Sequence, residues 1–284
     1  MKIFYTKTYN AWNDNIFKQD IIAQAAKKLQ YEEVALFNFD DKYDNDDELN
    51  TRMQGITASV NSESIVVFQY PSMVSGRYDL SFVNQIKNAN NARLAILVQD
   101  LGYWVSRDKY ANLEDEVNLF NKADLLILQS KEMYIYLKKH GLGDISVIYQ
   151  EMWDYPYGYV KEETHFNKGI VKIRNISVNT MIEMDEAGIA DMRVKFHEPE
   201  YESMIHDYKL GFYLCAGMPV IEKKDSADAY LVKKYGIGMF AEEDESIQVI
   251  MQRMTENELL DMQNNIRKIA PAVADGIFSK QLLQ

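Results

Sequence analysis

The sequence predicts an α/β protein whose parallel, doubly wound sheets are arranged in two domains. Three observations lead there. Short apolar runs rich in β-branched and aromatic residues recur along the chain, stretches of helical period separate them, and the alternation breaks once near the middle before resuming. Buried parallel strands read as such apolar runs, and parallel neighbours need crossover helices between them.

In the first half, strands are expected over residues 2–5, 33–37, 65–69, 94–98, 125–128 and 145–149. Helical spacing occupies 17–30, 48–60, 80–86, 113–120 and 132–140, and Gly141-Leu142-Gly143 supplies the C-terminal stop of the last. The acidic stretch 40–48 reads as a solvated loop, because it lacks the glycine and terminal glutamate of a calcium loop. Residues 155–167, aromatic and charged with Pro156 and Gly158, form the inter-domain crossing. Beyond it, strands are expected over 169–173, 192–196, 219–222 and 237–240, with helices over 207–216, 227–235, 245–255 and 256–269. The resulting domains are 1–153, a smaller 154–271, and a C-terminal helix over 272–284 that returns to the first domain.

Of the 284 residues, 47% are hydrophobic, which is enough for the cores of two modest domains and excludes disorder. A formal charge of −12 repels phosphate backbones, and no block of lysine and arginine reverses it locally. Nucleic acid and anionic membranes are therefore not expected partners, and any anionic ligand must find its own local positive groups. Cys215 is the only cysteine, which excludes an internal disulfide framework and a cysteine zinc cluster and fits a reducing compartment. Met1-Lys2-Ile3-Phe4-Tyr5 lacks the basic and apolar regions of a secretion signal, and no apolar run reaches the roughly 18 residues of a membrane span. A cytoplasmic protein without stable membrane insertion is the expectation. No spacing of His, Asp and Glu suggests a catalytic metal, and no cofactor is expected.

Ligands of such sheets sit at the carboxyl ends of the strands. In the first half these are the loops 6–15, 69–77 and 99–107 and the pair Gln129-Ser130; in the second they are the turn after Ile173 and the segment 206–220. In that segment Lys209 stands near the start of a predicted helix that ends at Ala216-Gly217 and leads at once into Pro219-Val220-Ile221. A lysine and helix N-terminal amides offer positive potential to a diphosphate. The segment looks like the donor-binding helix of GT-B glycosyltransferases, although an ordinary helix-to-strand joint with a surface lysine has the same spacing.

Three further strings, in order, extend the likeness: Ile65-Val66-Val67-Phe68-Gln69-Tyr70-Pro71-Ser72, then Ala123-Asp124-Leu125-Leu126-Ile127-Leu128-Gln129-Ser130, then Met152-Trp153-Asp154-Tyr155-Pro156. Together with the ending Gly276-Ile277-Phe278-Ser279-Lys280 they resemble the glucosyltransferases that extend the glycans of bacterial serine-rich-repeat adhesins, a plan shared with galactofuranosyltransferase-like proteins. The resemblance implies a GT-B fold of two Rossmann-like domains facing a cleft, the second reduced. It implies a metal-independent enzyme that adds glucose from UDP-glucose to N-acetylglucosamine on such adhesins, in the cytoplasm and as a homo-oligomer. By the same likeness Lys209 and Tyr208 hold the nucleotide diphosphate, while Thr6, Gln69, Ser130 and the Gln99-Asp100 turn belong to the acceptor side.

This chain also departs from the family. Gln99 and Tyr155 stand where family members often carry histidine. Glutamine cannot take a proton, so Asp100 is the remaining carboxylate for a general base, with a helix cap as its other reading. Ile173-Arg174-Asn175-Ile176-Ser177 replaces a glycine-rich turn, where Arg174 is either a phosphate contact or a surface arginine. His206 lies close to the donor segment. Two functions follow: an active hexosyltransferase, or a degenerate subunit that binds glycosylated adhesin or a partner transferase. An oxidoreductase is disfavoured, because Tyr5-Thr6-Lys7-Thr8-Tyr9 replaces the glycine-rich turn after the first strand.

Overall fold

The structure, a computed structural model, describes residues 1–10, 14–159, 170–171, 188–193, 199–242 and 245–284. It forms two compact units, Met1–Gln150 with Leu283, and Glu151–Leu282 with Gln284. Among the described residues no helix is long and apolar enough to cross a membrane.

The first unit alternates strands and helices as β1 (Ile3–Tyr9), α1 (Asp14–Lys28), β2 (Glu32–Phe37), α2 (Asp46–Ile56), β3 (Ile65–Tyr70), α3 (Gly76–Asn84), β4 (Arg93–Val98), α4 (Gly102–Val105), α5 (Leu113–Phe120), β5 (Leu125–Leu128), α6 (Lys131–Lys139) and β6 (Ser146–Tyr149). The strands form a parallel sheet in the order β2-β1-β3-β4-β5-β6. Chain order reverses between β1 and β3, so the loops after these two strands diverge and leave room for a ligand at the sheet's carboxyl edge. Val66, Phe68, Leu94, Ile96, Leu126 and Leu128 are fully buried, as the apolar runs require.

Two expectations for this unit are corrected. β1 runs to Tyr9 instead of ending at residue 5, because its parallel register with β2 continues to Tyr9 opposite Phe37 and the β-branched Thr6 and Thr8 alternate inward. Thr6 is therefore a strand residue and not a loop residue. The acidic stretch 40–48 is largely exposed but only partly a loop: a short turn at Asp41–Tyr43 leads into α2, whose first residues are Asp46, Asp47 and Glu48. Asn45 caps that helix by accepting from Asp47 N and Glu48 N at 3.0 Å, and Glu48 accepts Asn45 N at 2.8 Å. Asp46, Asp47 and Glu48 then occupy the first turn, where the helix dipole favours negative charge.

The second unit contains β7 (Ile170–Val171), β8 (Ile189–Asp191), α7 (Pro199–Glu202), α8 (Lys209–Cys215), β9 (Val220–Lys223), α9 (Ala229–Tyr235), β10 (Gly238–Ala241), α10 (Ile247–Arg253), α11 (Glu256–Asp275) and α12 (Ile277–Leu282). Its smaller parallel sheet has the order β10-β9-β8-β7. Ile189, Ile221, Ala241, Ile250, Leu259 and Met262 form one core cluster. The strand expected over 192–196 lies earlier, at β8, where Ala190 and Asp191 pair with Val220 and Ile221; residues 194–196 lie outside the described residues. Arg193 turns back on Asp191, Nε to Oδ1 at 2.9 Å, just past the strand end. The helix expected over 272–284 is two pieces, because Gly276 takes a left-handed φ of 73° between α11 and α12.

The string Met152-Trp153-Asp154-Tyr155-Pro156 belongs to this unit's core. Trp153 and Tyr155 are buried, Tyr155 meets the Phe212 ring edge-on at 5.4 Å, and burial pushes its hydroxyl up to about 12. Asp154 accepts Ser279 N at 2.6 Å and Phe278 N at 3.3 Å, satisfying the first amides of α12. Gly211 on α8 faces Trp153 so closely that a Cβ would stand 2.5 Å from its carbonyl oxygen.

Candidate functional site

At the carboxyl edge of the first sheet, four glutamines join neighbouring strands. Gln129 donates through Nε2 to Gln99 O, and Gln99 Nε2 donates to Gln69 Oε1 at 2.6 Å. Gln69 Nε2 donates to Thr6 O at 2.6 Å and to Gln19 O at 3.3 Å. Gln19 in turn accepts Thr8 N at 2.7 Å and donates to Pro71 O at 3.2 Å. Thr6 Oγ1 also accepts Gln69 N at 2.9 Å. The donors run in one sense from β5 through β3 to β1, and the Gln99 amide fixes the orientation of the Gln69 amide.

Thr6, Gln69 and Gln99 are therefore brought together, but they are almost wholly buried and shape the edge from beneath. Gln99 Oε1 is buried without a hydrogen-bond partner, an acceptor of the kind whose desolvation costs free energy and which clusters at working sites. Ser130 caps α6 by accepting Met133 N at 3.0 Å.

Asp100 follows Gln99 and is buried in an ion pair with Lys18, Nζ to Oδ2 at 2.6 Å. Lys18 Nζ also reaches Gln99 O at 3.4 Å. Sequence reasoning missed Lys18, since a lysine in an amphipathic helix reads as a solvated side chain. The signal present was Lys18-Gln19, a polar pair set between Phe17 and the buried Ile21-Ile22.

In the second unit Tyr208 precedes α8 and Lys209 begins it, with Lys209 Nζ 5.9 Å from the centre of the Tyr208 ring. Asp228 organises this end: its Oδ1 lies 2.9 Å from His206 Nδ1, its Oδ2 accepts Asp207 N at 2.9 Å, and Asp207 Oδ1 accepts Lys209 N at 3.0 Å. His206 and Asp228 are both buried. Asp228 was missed because its partner lies twenty-two residues away in sequence, beyond any local pattern. Arg174 lies outside the described residues, as does the turn around it. Among the described residues no group of three or more His, Cys, Asp or Glu side chains is placed to hold a metal ion.

Two parallel α/β units, the second smaller, define the GT-B class, and solved structures of that class share the fold. Anabaena HepE in complex with UDP superposes with a TM-score of 0.59 at 13% identity, covering 100% of this chain and 98% of that one. Sucrose-phosphate synthase from Thermosynechococcus elongatus gives 0.58 at 10% identity, covering 100% and 98%. The chain has the GT-B fold.

Residues 2–152 match the family described as Glucosyltransferase 3-like, N-terminal domain, and residues 188–284 match its C-terminal domain. The chain belongs to the glucosyltransferase 3-like family. It is 25% identical to Glucosyltransferase 3 of Streptococcus gordonii, across 100% of this chain and 97% of that protein. It is 23% identical to Glucosyltransferase 3 of Streptococcus parasanguinis, across 93% and 91%.

Proposed function

We propose that the protein transfers glucose from UDP-glucose to a glycan acceptor, of the kind carried by N-acetylglucosamine-modified serine-rich-repeat adhesins, without a metal ion. The observation that carries this reading is the ordered match of both family halves, with an oriented carboxylate, Asp100, at the carboxyl edge of the first. Glucose is supported by the names of the streptococcal relatives, and a UDP donor by the HepE complexes with UDP and with UDP-glucose, the latter at a TM-score of 0.57 and 12% identity.

In this reading the acceptor hydroxyl gives its proton to Asp100 as its oxygen attacks the anomeric carbon. The bond from that carbon to the phosphate oxygen breaks, and its electron pair leaves with UDP. Lys18 holds the Asp100 carboxylate in place, and Gln99 acts through the amide ladder, since it cannot accept the proton. Thr6 and Gln69 hold the shape of the acceptor edge, with Ser130 beside them. Lys209 and Tyr208 bind the diphosphate, with Arg174 as a second cation. The reaction takes place in the cytoplasm in a homo-oligomer.

Calorimetric titration tests the donor assignment. UDP and UDP-glucose bind saturably to the wild type, and Lys209→Ala weakens UDP by about 1.5–3 kcal/mol, the range of a charge-assisted hydrogen bond. Absence of binding for both nucleotides in the folded protein overturns the UDP-sugar reading, and unchanged UDP affinity in the variant removes Lys209 from the site.

A further inference from the structure

Two carboxylic acids of the first unit, Asp79 on α3 and Glu116 on α5, are buried in the core, where they accept hydrogen bonds from backbone amides and a tyrosine hydroxyl. Their partners lie in the two loops that follow β3 and β4. Glu116 Oε2 accepts Gly102 N at 2.8 Å and Oε1 accepts Tyr103 N at 2.5 Å. These amides start α4, directly after Gln99-Asp100-Leu101. Asp79 Oδ2 accepts Ser72 N at 3.2 Å and the Tyr110 hydroxyl at 2.9 Å, and that hydroxyl accepts Met73 N at 3.0 Å. Met73 has a left-handed φ of 68°, a conformation that costs a residue with a side chain free energy, and Lys109 Nζ holds its carbonyl at 2.6 Å. The Tyr110 ring closes the arrangement: a Cβ on Gly102 would lie 2.4 Å from it.

A cavity of about 520 Å³ reaches the same residues, with Tyr70, Tyr110 and Glu116 in its wall. Several of its polar side chains are committed within the protein. Arg77 donates to Asp41 O and Asp46 Oδ1, Lys109 to Met73 O, and Asn112 to Asp115. Of spare buried polar groups the cavity wall holds the Tyr70 hydroxyl, not the several convergent ones of a ligand site, whereas the acids beside it bind loop amides and the Tyr110 hydroxyl.

Burial raises both acids, Asp79 to about 7 and Glu116 to about 7. Apolar residues at these places would cost less than buried acids if packing were the whole purpose. We propose that Tyr110, Asp79 and Glu116 form a loop clamp, in which Glu116 is a positioning residue that sets the Asp100 turn and the start of α4 for transfer. Tyr103 and Trp104 follow on α4, partly exposed, and the clamp fixes their aromatic faces at the edge assigned to the acceptor. This inference rests on the acceptor-side reading of Asp100.

Glu116→Gln keeps the size of the side chain but presents an amide NH₂ to one of the two N–H donors. Amide hydrogen exchange followed by mass spectrometry should show the 99–105 segment exchanging at least tenfold faster in Glu116→Gln, with β3 to β5 unchanged. In transfer assays its kcat should fall about tenfold or more while KM for the UDP-sugar is unchanged, and Glu116→Asp, which retains two acceptors, should recover part of the loss. Tyr110→Phe removes only the bridging hydroxyl and serves if Glu116→Gln fails to fold; it should speed exchange around Met73 and lower kcat several-fold. Unchanged exchange in the folded variants overturns the clamp. Faster exchange with unchanged kcat in an active enzyme overturns its role in transfer. An inactive wild type that still shows faster exchange in the variants retains the clamp, refutes its role in transfer, and places the failure in the reading of Asp100.

Discussion

Removing either partner of the Lys18–Asp100 pair leaves the other charge in a place closed to water. A broken buried pair costs about 3–5 kcal/mol, so Lys18→Met should lower urea-unfolding stability by about that much. Asp100→Asn should cut turnover by a factor on the order of 10² to 10⁴, as for loss of a general base, with UDP affinity nearly intact. Steady-state kinetics beside calorimetry checks this, and equal turnover in the variant would show that another group takes the proton. Asp100 and Lys209 were legible in the sequence because each follows or begins an element at a strand's carboxyl end. Lys18, Gln19 and Asp228 were not, since each acts through a partner brought close only by the fold. The glutamine at position 99 looked like a lost histidine, whereas its visible role is to link Gln69 to the turn bearing Asp100.

Among the elements, the close approach of α8 to the Trp153 backbone is sensitive to volume. Gly211→Ala places a methyl group 2.5 Å from the Trp153 carbonyl oxygen, and that contact cannot be relieved by rotating a side chain. Overpacking of this kind costs about 1–3 kcal/mol, to be read as a lower denaturation midpoint. A midpoint equal to wild type would mean that α8 shifts freely. Apolar runs located most strands of both units, because burial on both faces of a parallel sheet leaves a direct mark on composition. Polar strand ends left none: the Thr6-Lys7-Thr8-Tyr9 extension of β1 alternates and reads as a loop until β2 is seen beside it. The start of α2 was hidden for a different reason, since its acidic first turn also has the composition of a solvated loop.

For the molecule as a whole, the buried acids Asp79 and Glu116 give stability a definite dependence on pH. Each holds its proton to about pH 7 when folded, whereas an exposed carboxyl in the unfolded chain releases it near about pH 4. Across that window the folded chain keeps protons the unfolded chain has lost, so these two groups lower stability as pH rises, by at most ~1.4 kcal/mol per pH unit each. Asp79→Asn should make the decline between pH 4.5 and 7 shallower than in wild type, as followed by thermal unfolding across a pH series. An identical slope would show that Asp79 ionises normally. The two-part α/β plan was legible in the described residues of both halves, because alternation of strand and helix marks composition more broadly than any single motif. The acceptor and the sugar leave no comparable mark, since a few side chains at a strand edge select them. A transfer assay read by mass spectrometry therefore bears most directly on the account: purified protein, an N-acetylglucosamine-bearing serine-rich peptide, and each common UDP-hexose in turn. The account predicts the mass gain of one hexose, fastest from UDP-glucose and lost in Asp100→Asn. No gain from any UDP-hexose, with the peptide still bound by the folded protein, would contradict it.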